Sequence, residues 1–239
     1  MVLKDFTSWF DLPLSSQYYG EDHEAWRQTL RRFMDREVAP FVDEWEEAGT
    51  FPRELYKKAA AVGMLQMGYP EEYGGVTQPD YFFGIVTAME QARAGGGGVH
   101  PSLSSHSIGL PPIVALAGEE IKQRVIPAVI SGEKISALAI TEPSGGSDVA
   151  NLATTARRVG DHYVVNGSKI FITSGIRADY FTTAVRTGGP GHSGISLLLI
   201  EKGTPGFSQR ELKKSGLVGV RYRRAVLRRL QSALHQFDR

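Results

Sequence analysis

At Lys134 the spacing of apolar residues changes from the period of a helix to that of a strand, and that switch limits what this 239-residue chain can fold into. Before it, Trp26, Leu30, Phe33, Met34, Val38, Phe41, Val42 and Trp45 recur at steps of three and four, one buried face of a long helix that Pro40 should kink or split. "PRELYKKAAAVGM" begins on a proline suited to a first helical turn. "DYFFGIVTAMEQARA" is apolar over most of its circumference, as a central helix would be, and stops at glycines 95 to 98. After the loop "VHPSLSSHS", "LPPIVALAG" and "EEIKQRVIPAVISG" read as two further short helices.

Beyond Lys134 come "KISALAIT", "TTARRVG", "HYVVNGSKIFITSG", "ADYFTTAVRT" and "GISLLLIEKG", short alternating or continuously apolar runs about ten residues apart. With no helical pattern between them they predict an antiparallel barrel or sandwich rather than an open doubly wound sheet. Asn166-Gly167 predicts a two-residue type I′ hairpin turn. The last segment, "VLRRLQSALHQF", places Val226, Leu230, Ala233, Leu234 and Phe237 on one face of a basic amphipathic helix. The expected class is α+β: a helical domain over 1–133, a β-barrel or sandwich domain over 134–212, and an arginine-rich helical tail over 213–239.

Composition narrows the function. Six of the 27 basic residues and one of the 26 acidic residues fall in 220–239, so the body carries about −4 and the tail +5. With a net charge of +1, bulk charge argues neither for nucleic acid nor for membranes, and neither is expected as a partner. With no cysteine, thiolate nucleophiles, iron–sulfur clusters and Cys-based zinc sites are excluded, and redox chemistry would need an organic cofactor. The N-terminus has no apolar signal core and the longest aliphatic run, "ISLLLI", is too short to span a bilayer, so a cytoplasmic location is expected. His100 and His106 flank "PSLSS" without a carboxylate at ligand spacing, which makes them loop histidines rather than a metal site.

Two segments can carry chemistry. "TEPSGGSD" (141–148) follows a strand and gathers hydroxyls, glycines and backbone N–H groups where an anionic or polar ligand could sit; a tight turn capped by Asp148 would look the same. In "KIFITSG" (169–175), strand alternation sets Phe171 and Thr173 on one face, an aromatic plane beside a hydroxyl.

Taken together, "AITEPSGGSDV" and "VNGSKIFITSG" resemble the acyl-CoA dehydrogenase family, whose middle β-domain carries a "TEPGAGSD" loop and a K-x-W/F-I-T-N/S-G strand. "VAPFVDEWEEAGTFPRELYKKAAAVGMLQMGYPEEYGG" and "PPIVALAGEEIKQRVIPAVISGE" resemble that family's N-terminal helices, in family order, over residues of about 20 to 214. The resemblance implies an FAD flavoprotein of fatty acid metabolism that removes hydrogen across the α,β bond of an acyl-CoA. The stretch Leu138, Ala139, Ile140, Thr141 to Gly146 and Ser147 would lie along the flavin, with Ile140 and Thr141 near its pyrimidine edge. Gly146 and Ser147 would contact the cofactor and the polar part of the CoA ester. Phe171, Ile172 and Thr173 would face the ring, Thr173 near N5. Ser144 stands where the family often has glycine, and Phe171 where many members have tryptophan.

The same resemblance implies that the catalytic glutamate lies in a third, helical domain, which this chain is expected to lack. No residue here is therefore assigned as the base, Glu142 included, and the tail from about 216 looks foreign to the family. The expected partners are an acyl-CoA and an electron-transfer flavoprotein, with homo-oligomerisation if the full family fold were present. The competing reading is a non-catalytic interaction module.

Overall fold

The computed structural model describes Phe10, Leu14, residues 17–212 and the strand 223–233. Among the described residues, eight α-helices precede the sheet. Helix α1 (Glu21–Glu37) opens on Glu21, Asp22 and Glu24, acids that suit a helix N-terminus, and buries Leu30, Phe33 and Met34. The chain breaks where Pro40 requires it, passes through a 3₁₀ turn at Ala39–Phe41, and resumes as α2 (Val42–Ala48), which ends on the left-handed Gly49. Then follow α3 (Glu54–Ala61), α4 (Phe82–Arg93), α5 (Val99–Leu103), α6 (His106–Gly109), α7 (Pro111–Leu116) and α8 (Glu119–Ile130). The segment expected to be the loop "VHPSLSSHS" is instead α5 and the start of α6, so His100 and His106 are helical.

Helix α4 is less central than its composition suggests. It buries Phe83, Val86 and Glu90, while Tyr81 and Ile85 stay exposed. One face packs on α1, and Glu90 there is held by Arg31 (2.9 Å) and Arg93 (2.9 Å). Another part of the helix borders a cavity of about 650 Å³ shared with Met64, Tyr69, Ser104 and His106. Apolar residues around a helix can face an open cavity as well as a core.

The strands are β1 (Ser136–Ala139), β2 (Thr155–Val159), β3 (His162–Lys169), β4 (Tyr180–Arg186), β5 (Ile195–Glu201), β6 (Phe207–Glu211) and β7 (Arg223–Ala233). They form one sheet in the order β1-β4-β2-β3-β7-β6, with β5 on the other edge of β4. Strand β1 runs parallel to β4 through Ser136↔Tyr180 to Ala139↔Thr183, and β2 joins the same edge further along, at Thr155↔Arg186, also parallel. The fold is thus α+β, as expected, but the sheet is mixed and not closed, so the antiparallel barrel is corrected to an open sheet. Alternation specifies that a strand has two faces; it carries no information on which strand lies beside it.

Two local expectations also change. Asn166-Gly167 is no turn: β3 runs through it, and the β2–β3 hairpin closes six residues earlier, at Gly160-Asp161, with Gly160 at φ 64°. Gly167 is needed because a Cβ there would lie 2.3 Å from Thr154 Oγ1 and 2.6 Å from its Cβ. The predicted helical tail is instead strand β7, paired antiparallel with β3 and β6, so the open edges of both decide its conformation. Leu234 and Phe237, also assigned to that helix, lie outside the described residues.

The sheet's alternation divides its side chains between two cores. Leu198 and Ile200 of β5, with Phe181 and Val185 of β4, join Leu30, Phe33, Leu55 and Leu103; Leu197, Leu199 and Tyr180 join Ile113, Ile121 and Val125. Close backbone contact locks helices onto strands. Ser105 Oγ donates to Ser136 O (2.9 Å), Thr182 Oγ1 donates to Gly109 O (2.7 Å), and a Cβ on Gly109 would stand 2.8 Å from Ser136 Oγ. Helix α6 is thereby held against β1, the strand that leads into the site.

Candidate functional site

Strand β1 carries Leu138, half-buried, and Ala139, buried, to its C-terminal end, where the chain leaves the sheet at Ile140. Strand β3 ends on Lys169, and these two ends are tied together. Lys169 Nζ donates to Ile140 O (2.9 Å), and Ile170 N–H donates to Thr141 O (2.9 Å). The loop then closes on itself through Glu142 N–H to Gly145 O (3.0 Å) and Gly145 N–H to Glu142 O (3.1 Å). A Cβ on Gly146 would lie 3.1 Å from Thr141 Cγ2, so the loop backbone doubles back over that threonine. Thr141 and Gly146 are half-buried; Ser144 and Ser147 face solvent.

Glu142 turns inward. Its carboxylate accepts from Ala153 N (2.7 Å), Thr154 N (2.8 Å) and Lys169 Nζ (2.9 Å), and it is buried together with Lys169. Burial alone would raise the Glu142 carboxyl, but the hydrogen bonds from Lys169, Thr154 and Ala153 hold it below its ordinary value. Burial pushes Lys169 down to about 8, against the opposing pull of Glu142. Beside this pair a cavity of about 120 Å³ is bounded by Ile140, Gly145, Gly146, Val149 and Leu152. Its outer wall is secured by Arg186, which donates to Leu152 O (2.9 Å) and Ala150 O (2.7 Å) on one side and Gly189 O (2.7 Å) and Gly191 O (3.1 Å) on the other.

After Lys169 the strand ends, which corrects the expected alternation of Phe171 and Thr173 along one face. Residues 171–177 form tight turns in which Phe171 and Ser174 both adopt φ 59°, a conformation costly for residues bearing a Cβ. Ser174 Oγ donates to Ser102 O (3.1 Å), and the Tyr56 hydroxyl donates to the same carbonyl (2.9 Å), which anchors the turn to α5 and α3. Ile172 is buried, Thr173 half-buried, and Phe171 is 60% exposed. A bulky aromatic held outward by an unfavourable backbone suits a surface built to meet a flat ligand.

The structure thus joins Ile140 and Thr141 to the start of the Phe171–Thr173 turn, by direct hydrogen bonds from Lys169 and Ile170, the two residues before Phe171. Sequence reasoning missed Lys169. The available signal was register: Tyr163, Val165 and Gly167 precede it at steps of two, and a lysine at that inward position needs a buried partner. Among the described residues no group of three His, Asp or Glu side chains could hold a metal ion, and no helix is long and apolar enough to cross a membrane.

Residues 20–133 match the acyl-CoA dehydrogenase N-terminal domain, and 137–230 match the acyl-CoA dehydrogenase middle domain. The chain belongs to the acyl-CoA dehydrogenase family. The middle-domain match runs on into β7, so most of the segment expected to be foreign lies within the family pattern. The acyl-CoA dehydrogenase apdG of Emericella nidulans is 37% identical over 224 residues, covering 86% of this chain and 51% of the relative. The crystal structure of an acyl-CoA dehydrogenase from Geobacillus kaustophilus superposes with a TM-score of 0.87 at 35% identity, over 94% of this chain and 60% of that one. A glutaryl-CoA dehydrogenase from Mycobacterium smegmatis, solved in complex with FADH2, gives a TM-score of 0.83 at 29% identity over 92% and 56% of the two chains. The chain spans about half the length of the curated relative.

Proposed function

We propose that this chain is an FAD-binding acyl-CoA dehydrogenase-like protein, with the flavin against Phe171–Thr173 and the Leu138–Ser147 loop. The observation that carries the reading is the hydrogen-bonded junction of the Thr141 loop with the Phe171 turn, in a chain whose family relatives include one solved with FADH2. The residues present fit such a group. Gly146 lets the loop backbone pack directly on Thr141, where a Cβ would lie 3.1 Å from Cγ2, and Phe171 offers an outward aromatic face. Ile140 and Thr141 would hold the pyrimidine edge; Gly146 and Ser147 would meet the cofactor and the polar part of a CoA ester; Ile172 would back the ring, and Thr173 would donate near its reactive nitrogen.

What FAD supplies when bound is a two-electron acceptor that no amino-acid side chain provides. The chain's own part is to bind and orient. Phe171 would exclude water from one ring face, and the loop's hydroxyls and N–H groups would set the ester's position. Glu142 is not free to remove an α-proton, since its carboxylate is engaged by two backbone amides and the Lys169 ammonium. No residue of this chain is therefore assigned as the base, and little or no dehydrogenation by the chain alone is expected. An acyl-CoA thioester, an electron-transfer flavoprotein and a cytoplasmic setting complete the reading, with self-association if the full family fold were present.

The test is an absorption spectrum of the purified chain with and without added FAD, together with a flavin-fluorescence titration. Flavin bands or saturable quenching are expected; their joint absence would overturn the cofactor reading. Ordinary turnover of an acyl-CoA by the isolated chain would overturn the assignment of no base.

A further inference from the structure

Thr141 is pinned on both sides, by different means. A peptide unit is planar, so fixing its carbonyl fixes the N–H of the next residue. The Ile140 carbonyl, held by Lys169 Nζ at 2.9 Å, sets the plane that contains the Thr141 N–H; the Thr141 carbonyl, held by Ile170 N–H at 2.9 Å, sets the plane beyond. In an extended chain two successive carbonyls point to opposite sides, and one strand backbone cannot reach both. The side chain of Lys169 takes the first and the backbone next to it takes the second. With both planes set, the direction of the Thr141 side chain follows, and with it the position of Gly146, which packs on it.

We propose that Lys169 is a positioning residue whose buried ammonium sets the ligand-facing geometry of the Thr141–Gly146 loop against the Phe171 turn. The inference rests on the flavin reading above. Lys169 is fully buried, and its two acceptors belong to one short stretch, Ile140 and Glu142. Glu142 extends the effect by capping Ala153 and Thr154, so the same ammonium orders the loop's exit as well as its entry. A buried ion pair is seldom the most stabilising solution, because apolar side chains of similar size serve as well or better. What apolar side chains cannot do is hold one particular carbonyl.

The experiment compares the unaltered chain with the double variant Lys169→Met/Glu142→Gln. The double variant strands no charge, and its amide oxygen can still accept from one of the Ala153 and Thr154 N–H groups, which bind different carboxylate oxygens in the unaltered chain. A purely structural pair predicts that a double variant of near-normal thermal stability behaves normally at the loop. Positioning predicts otherwise: without ligand, the Glu142-position, Gly145 and Ile170 amides exchange hydrogen about tenfold faster or more, and FAD affinity falls by about tenfold or more. Normal exchange and normal affinity in a folded double variant would overturn the proposal. If the unaltered chain itself binds no FAD, the flavin reading fails, while the exchange arm still decides the role of Lys169. Should the double variant not fold, Lys169→Cys carries the test, since the chain has no other cysteine. Aminoethylated while denatured and then refolded, it regains an ammonium at nearly the same reach. Recovery of slow exchange at those amides supports the proposal, and refolded protein in which they remain fast overturns it.

Discussion

Replacing Gly167 by alanine should destabilise the protein, and Thr154→Gly should remove most of the cost. The added methyl would meet Thr154 Oγ1 at 2.3 Å and its Cβ and Cγ2 at 2.6 Å, all inside the 3.0 Å that real Cβ atoms essentially never cross. Thr154 cannot step aside, because it is 1% exposed, its N–H is bound by Glu142 and its carbonyl accepts from Arg186 N–H. Overpacking of this kind costs about 1–3 kcal/mol, here at the upper end because both strands are tied. The lower backbone entropy of alanine in the unfolded chain returns about 0.5–1 kcal/mol, leaving a net loss of about 2 kcal/mol. For a chain of this size that is a fall in Tm of about 4–8 °C, read by calorimetry or by circular dichroism with denaturant. The double variant should cost about 2 kcal/mol less than the sum of the single variants, since Thr154→Gly removes all three atoms that the methyl would meet. A Gly167→Ala protein within about 0.5 kcal/mol of the parent, or strict additivity, would refute the reasoning. A hairpin glycine at Asn166-Gly167 would give a different result, for its defect would be conformational and indifferent to Thr154.

Burial lowers His106 from its ordinary 6.5 to about 4. The unfolded chain then binds the extra proton first, so the stability this residue contributes is complete above pH 6.5 and is lost as pH falls toward 4, by about 3 kcal/mol. His106→Gln should flatten the stability curve over that window, and an unchanged slope would count against it. Arg186→Met removes a charged donor from four carbonyls and should cost about 2–4 kcal/mol and speed proteolysis within 187–194; urea midpoints that match the parent would contradict this. Phe171→Gly keeps the left-handed backbone without its strain, so stability should change by no more than about 1 kcal/mol while FAD affinity falls about tenfold, as measured by fluorescence titration. Loss of the fold together with the affinity would show that Phe171 serves packing instead.

The sequence alone determined the helical first part, the change to strands at Lys134 and the two segments that meet at the candidate site, because periodicity and turn residues act over a few positions and survive any arrangement of neighbours. It could not determine pairing. Gly167 reads as a turn until Thr154 lies against it; residues 226–233 read as a helix until the edges of β3 and β6 offer hydrogen bonds; Phe171 reads as a strand residue until Lys169, just before it, is drawn inward to Ile140 and Glu142. Each of these depends on contacts between residues distant along the chain, where the cost of burying a charge or leaving a backbone group unpaired is settled only by what the fold brings beside it.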